Sequence, residues 1–336
     1  MITRKVHAIS LFSGGLDSCL SVLLMLQQNI DVTALTFMTH FGCDLQDRSS
    51  CSHNPYPAAE KFGFSVKLMH LGDKFVDIVR EPKYGYGKNM NPCVDCRILM
   101  LREAKEYMEA VGADFIITGE VVGQRPFSQK LDKLKLTMRE AGLKGRLLRP
   151  LSAKLLEPTI PEAEGLVDRE RLEGISGRSR SRQLALAKEY DLEDYPSPAG
   201  GCLLTDPEYS RKLKDLLDHQ PRVTFSDLNL LRAGRHFRYS PQAKIIVGRN
   251  EADNEKILAD VGPNDMICEA KQTGSPITLL RGEISEMARD AACALTARYC
   301  DRKNDPEVLV GWSKDGETGT VALAPATEEM VLRLRV

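Results

Sequence analysis

Six residues near the amino terminus, Ser13-Gly14-Gly15-Leu16-Asp17-Ser18, constrain the fold of this chain more than any other segment. A mostly apolar run, 6–12, precedes them and reads as a short buried strand, and an apolar-periodic stretch, 20–28, follows. The string therefore reads as a turn from a buried strand into a helix. Paired glycines let the backbone bend tightly and aim its N–H groups at an anion. The start of the helix adds partial positive charge, and Ser13 and Ser18 add hydroxyl donors. Asp17 suits a helix cap or a carboxylate facing magnesium. A Walker loop is excluded, because no Gly-Lys-Ser/Thr ending follows. Two glycines alone are equally compatible with a purely structural turn; the six-residue string is what points to a nucleotide.

The pattern continues as strand 31–37, a short helix 57–62, strand 65–71, helix 94–111 and strand 114–118. Strands alternating with helices imply βαβ units and an α/β domain with a parallel sheet covered on both faces. Ligands of such sheets sit in the loops at the carboxyl ends of the strands, where 13–18 and 118–124 both fall. Residues 121–190 are more polar, with a helix expected over 184–190. Beyond residue 220, short strand-like pieces (222–225, 244–247, 277–280) mix with helices (254–259, 284–299) and end in a hairpin (308–312 with 320–323). This reads as a smaller α+β domain. The expected division is 1–205, a linker over 206–220, and 221–336.

Nine cysteines, an odd number in a chain without an export signal, argue against a disulfide framework. No apolar segment is long enough to cross a bilayer, so a soluble cytoplasmic protein with no membrane contact is expected. Cys93 and Cys96 form a Cys-x-x-Cys pair, and Cys202 follows at a distance. On residue types alone these allow a redox pair, a structural zinc site completed by His53, Cys51 or Cys43, a nucleophile with a persulfide carrier, or an iron–sulfur cluster on three thiolates. The loop 39–53, with His40, Cys43, Cys51 and His53, is expected to be a surface lid. Cys19, Cys268, Cys293 and Cys300 lie among apolar residues and read as buried structural thiols, and Trp312 as core.

Ser-Gly-Gly-Leu-Asp-Ser resembles the PP-loop of the ATP pyrophosphatase superfamily, which implies an adenine nucleotide alpha hydrolase-like fold. Ile117-Thr118-Gly119-Glu120-Val121-Val122-Gly123-Gln124 resembles a segment of tRNA 4-thiouridine synthetases. Asn91-Pro92-Cys93-Val94-Asp95-Cys96 resembles one of tRNA 2-thiouridylases, and Ala199-Gly200-Gly201-Cys202 sits where those carry a second functional cysteine. The resemblance implies ATP and Mg2+ as cofactors, with ATP bound by Ser13, Gly14, Gly15, Asp17, Ser18, Phe37, Thr118, Gly119 and Gln124. It makes Asp17, Cys96 and Cys202 the expected catalytic residues. The extra cysteine resembles iron–sulfur-dependent thiolation enzymes, implying a [4Fe–4S] cluster on Cys93, Cys96 and Cys202; persulfide chemistry and zinc remain open.

Formal net charge is −1, so no global basic excess announces nucleic acid. Local patches do exist. Residues 125–149 carry eight Lys/Arg against two acids, and 222–249 carry six against one, with Phe225, Phe237 and Tyr239 interleaved. Across 222–336, however, 16 basic residues face 17 acidic ones. Gly234-Arg235-His236-Phe237, Ile245–Asn250 and Ala297-Arg298-Tyr299-Cys300 resemble the RNA-binding domain of NFACT proteins. Arg178, Arg180, Arg182, Arg235 and Arg249 are the expected RNA contacts. The expected function is ATP-dependent thiolation of a uridine in tRNA, with tRNA or another structured RNA and sulfide or a sulfur-donor protein as partners. A homodimer is compatible with this. A small-molecule adenylating enzyme and a non-catalytic iron–sulfur or RNA-binding regulator are the alternatives.

Overall fold

A computed structural model describes residues 4–41, 53–193, 195 and 202–336. The chain divides into two units, 1–206 and 207–336. In chain order the first contains β1 (His7–Leu11), α1 (Leu16–Leu26), β2 (Asp31–Met38), α2 (Tyr56–Phe62), β3 (Ser65–His70), α3 (Gly72–Arg80), α4 (Cys93–Val111), β4 (Phe115–Thr118), α5 (Leu131–Glu140), β5 (Leu147–Leu148), α6 (Ile160–Ala163) and α7 (Ser181–Glu189). The strands form a sheet of order β3-β2-β1-β4-β5, parallel throughout. The central strands β1 and β4 are buried on both faces almost throughout, as in a parallel sheet covered by helices on both sides. The chain leaves β1 in one direction for β2 and returns on its other side as β4. The order therefore reverses beside β1, and that is where the carboxyl-end crevice of such a sheet opens. The expected α/β parallel-sheet class is present.

Most of α1 is buried, with Leu16, Leu20, Leu23 and Leu24 in the core of this unit. Helix α4 is longer, 19 residues, and ends at Gly112, whose φ of 66° closes the helix in the left-handed conformation. Its amino end is the Cys93–Cys96 turn.

The second unit contains α8 (Pro207–His219), α9 (Phe225–Leu230), β6 (Arg235–Ser240), β7 (Ala243–Val247), α10 (Glu251–Ala259), β8 (Met266–Ala270), β9 (Thr278–Gly282), α11 (Glu286–Tyr299), β10 (Val308–Lys314), β11 (Glu317–Leu323) and α12 (Glu328–Leu334). Its sheet, β11-β10-β8-β9-β7-β6, is antiparallel throughout. Neighbouring residues point to opposite faces. Ile245 and Leu280 join the core under α11, while Ile246 and Leu279 join a smaller cluster with Leu230 and Ile257. The hairpin β10–β11 is longer than its apolar pattern suggests. Asp315 and Gly316, at φ of 50° and 86°, make the two-residue turn with both φ positive that matches strand twist.

Three sequence expectations change. The segment 206–220, expected as a linker, is helix α8, whose Tyr209, Leu213, Leu216 and Leu217 are buried at helical spacing. The piece 222–225 is not a strand, because Thr224 caps α9 in a capping box with Asp227. Trp312 is only partly buried, beside the core of its unit. Cys19, Cys268, Cys293 and Cys300 are buried as expected, and none of the described cysteines forms a disulfide.

Candidate functional site

The turn after β1 is built by two glycines. Gly14 has φ of 73°, and a side chain there would meet His53 Cβ at 2.9 Å. His53 donates its N–H to the Ser13 carbonyl at 2.9 Å, so this residue from the expected lid closes over the loop. Cys43 and Cys51 lie outside the described residues. Gly15 precedes α1, and no described side chain caps that helix. Its first-turn N–H groups, with the partial positive charge of the helix behind them, suit an external acceptor. Ser18 is buried and donates to Gly15 O at 2.8 Å, so its hydroxyl supports the turn; Ser13 is exposed.

Asp17 carries the most informative atom of the site. Its Oδ2 accepts a hydrogen bond from Gln124 Nε2 at 2.7 Å, while its Oδ1 is buried with no hydrogen-bond partner. Gln124 in turn accepts from Gln183 Nε2 at 3.2 Å. Gln183 is fully buried on α7 and its Oε1 is likewise unpartnered, as is Arg180 Nε. Buried polar atoms are almost always satisfied. Unpartnered atoms on Asp17 and Gln183, the two residues joined through Gln124, mark a place built for a polar ligand, and a carboxylate oxygen left open suits a divalent cation. Mg2+ would be held there by Asp17 and would neutralise phosphate charge.

The end of β4 closes the other side. Gly119 is required by close approach, because a side chain would come within 2.6 Å of the Asp17 and Ser18 backbone. Thr118 is buried and donates to Glu120 Oε2 at 3.1 Å, so its hydroxyl faces inward and not towards a ligand. Phe37 is buried in β2, which leaves only the strand-end backbone for the expected nucleotide contact. Glu120 is buried between Arg97 Nε at 3.2 Å and Arg149 Nε at 3.0 Å. Burial opposes its ionisation, but the two guanidinium groups prevail and hold its carboxyl below the usual range. Sequence reasoning used Glu120 only as a motif letter. Its function as a clamp between α4 and β4 has no local sequence signal.

Cys93 and Cys96 occupy the first turn of α4, where the helix end by itself favours thiolate. Burial pushes the Cys93 thiol up, and the charges of Arg125 and Arg97 partly offset this. The loop before them is bonded to the turn of Cys202: Met90 N–H donates to Leu204 O at 3.1 Å and Asn89 Nδ2 to Thr205 O at 2.6 Å. Cys202 Sγ lies 3.7 Å from Phe41 O. Residues 199–201 are outside the described residues. Among the described residues no three His, Cys, Asp or Glu side chains gather closely enough for a single ion. Cys93, Cys96 and Cys202 are half-buried thiols on two mutually bonded segments, the kind and number of donors a three-thiolate cluster uses.

The expected RNA contacts divide unevenly. Arg178 is exposed and forms no salt bridge with a described acid, whereas Arg182 is paired with Glu173 and Glu189 at 2.6 and 3.0 Å. Arg235 stacks 4.4 Å above the Tyr299 ring, and Arg249 is paired with Asp253 at 2.6 Å. Phe237, expected to meet bases, is fully buried in the core; Phe225 is exposed.

A parallel sheet with a glycine loop and uncapped helix at its switch point defines a nucleotide-binding α/β protein, here with an antiparallel α+β domain after it. Residues 4–157 match the family model of the thiamine biosynthesis protein ThiI, and residues 234–334 that of the NFACT protein RNA binding domain. The first unit thus resembles the PP-loop ATP pyrophosphatases, of the tRNA thiouridylase and 4-thiouridine synthetase-like kind, and the second resembles an NFACT-type RNA-binding domain. It is similar to the tRNA-specific 2-thiouridylase MnmA of Salinibacter ruber, at 24% identity over 96% of this chain and 88% of the relative. Solved structures aligned to it include a 4-thiouridine synthetase–RNA complex with bound ATP (18% identity, 67% of this chain and 52% of that chain, TM-score 0.37). Another is the U34-tRNA thiolase NcsA from Methanococcus maripaludis with its [4Fe-4S] cluster (16% identity, 69% and 73%, TM-score 0.35).

Proposed function

We propose that this protein thiolates a uridine of tRNA at the expense of ATP. The reading is supported by the family matches to both units, by the tRNA 2-thiouridylase relatives and by the site itself. The observation that carries it is the bonding of the Cys93–Cys96 loop to the Cys202 turn, in the unit that also holds the uncapped α1 and the open Asp17 oxygen.

A carbonyl oxygen is a poor leaving group, so the uracil must first be activated. Its oxygen attacks the α-phosphorus of ATP, the bond to the β-phosphate breaks and pyrophosphate leaves. The α1 amino end suits that pyrophosphate, and Asp17, oriented by Gln124 and Gln183, would hold a magnesium ion that neutralises its charge. Hydrosulfide then attacks the activated carbon; the C–S bond forms, the C–O bond breaks, a proton is lost and AMP departs with the former carbonyl oxygen. Cys93, Cys96 and Cys202 would hold a [4Fe–4S] cluster, whose remaining iron supplies a place for an external sulfur ligand. Arg97, fixed by Glu120, and Arg125 keep the charge around these thiolates balanced.

The test is iron, acid-labile sulfide and thiouridine content after anaerobic purification of wild type, Cys93→Ala, Cys96→Ala and Cys202→Ala. The reading expects about four irons per chain, lost in each variant together with thiouridine formation. Iron-free wild type that still thiolates tRNA would replace the cluster by persulfide chemistry on Cys96 and Cys202. No thiouridine under any condition would overturn the function.

A further inference from the structure

One exposed aromatic side chain next to this site has no part in the scheme above. Phe127 is 41% exposed, and it lies in a loop that closes on itself through Gly123 N–H to Gln129 O (2.8 Å) and Gln129 N–H to Arg125 O (3.1 Å). One end of the loop reaches the nucleotide side, where Gln124 holds Asp17. The other end reaches the cysteine side. A side chain at Gly87 would meet two Phe127 ring carbons at 3.2 and 3.3 Å, and Gly87 N–H donates to Asn91 O at 2.8 Å, two residues before Cys93. Between Gln124 and Phe127 the chain spans at most about 10 Å, roughly the length of a nucleoside. The missing side chain at Gly87 is what allows the ring to approach the loop backbone this closely, while 41% of the residue stays open to solvent.

The surroundings are cationic. Arg125 is exposed and forms no salt bridge with a described acid, Lys88 is exposed on the Gly87 loop, and Lys130 is exposed just beyond the closed loop. An exposed ring fixed by backbone, with unpaired cations within a few residues, combines a π-face for a base with charge for its phosphates. An apolar protein partner would leave those cations desolvated and unmatched.

We infer that Phe127 is a stacking platform for a nucleobase of the substrate RNA, holding it between the PP-loop and the cysteine turn while Arg125 and Lys88 take the adjoining phosphates. The inference rests on the proposed RNA-directed function and assigns its base-binding side chain. Stacking accepts any planar base, so Phe127 fixes the plane of the base and leaves the choice of base to other groups.

The test compares Phe127→Leu, which keeps apolar packing on Gly87 but removes the π-face, with Phe127→Trp, which restores it. The full-length protein is titrated with an unmodified tRNA transcript and, separately, with ATP. We expect about tenfold weaker tRNA binding for Phe127→Leu, recovery in Phe127→Trp, and an ATP Kd within about twofold of wild type in both, since Gln124 keeps its bond to Asp17. Photocrosslinking of 5-bromouridine-containing transcript is expected in the peptide holding 123–129. Unchanged tRNA binding in Phe127→Leu overturns the inference, as does an equal loss of ATP binding, which would make the ring structural. Thiouridine formation by wild type is scored independently. If it is absent while the leucine variant still loses tRNA, the platform stands and the thiolation reading falls; if wild type binds no RNA, both fall.

Discussion

The PP-loop differs from the framework of the C-terminal unit, and from the Glu120 clamp of its own unit, in how buried polar groups are matched. Around the PP-loop, Asp17 Oδ1, Arg180 Nε and Gln183 Oε1 are buried without partners. In the C-terminal unit, charges are closed into internal networks. Asp215 receives Arg238 at 2.7 Å and Lys244 at 2.8 Å, and Arg281 binds Asp227 at 2.8 Å and Asp265 at 2.6 Å. The first pattern costs stability unless a ligand supplies the missing partners. The second is a frame that fixes α8, α9 and the strands to each other. A cluster of arginines is thus not by itself an RNA site, and a single open carboxylate oxygen says more about chemistry than a run of basic letters.

The comparison breaks most visibly at Asp17. Asp17→Asn is expected to lower AMP formation by about 10³-fold, with a melting temperature close to wild type, since the side-chain oxygen can still accept from Gln124 and the lost charge has no cationic partner among the described residues. A large fall in melting temperature would make Asp17 structural. At the other extreme, Asp215→Ala leaves two buried cations unmatched and should cost about 3 kcal/mol of C-terminal unit stability, read by chemical denaturation.

The pH dependence sharpens that second case. Burial opposes ionisation of Asp215, yet Arg238 and Lys244 prevail and bring its carboxyl down to about 2. A depressed carboxylate contributes stability that is complete above its unfolded value of about 4 and lost as pH falls towards 2. Wild type should therefore lose roughly 2 kcal/mol across that window, and Asp215→Asn should not show this component. Gln183→Leu removes the hydrogen bond that orients Gln124, and AMP formation should drop about tenfold. The smallest effect separates the arginines. Arg178→Ala should lower the salt slope of tRNA binding by nearly one, while Arg182→Ala, already paired with two glutamates, should change it less.

Most of the first unit was legible in the sequence, because strand-period and helix-period runs alternate between clear turns and the loop 13–18 fixes the strand-to-helix crossing. Helix α8 was missed: its segment was expected as a linker, although Tyr209, Leu213, Leu216 and Leu217 recur at helical spacing. What the letters do not carry is reach across the chain. Gln183 meets Gln124, and Glu120 clamps Arg97 and Arg149, through tertiary packing alone. Phe127 shows the same limit from the other side: one aromatic in a polar stretch gains meaning only where it lies on Gly87.

The most direct test of the central claim is product stoichiometry. Protein purified anaerobically would be given ATP, sulfide and an unmodified tRNA transcript, with AMP, ADP, pyrophosphate and thiouridine quantified together. The account predicts AMP and pyrophosphate in equal amounts, dependent on tRNA and matched one-for-one by thiouridine, all lost in Asp17→Asn. ADP and inorganic phosphate as products, or AMP formation indifferent to tRNA, would contradict it.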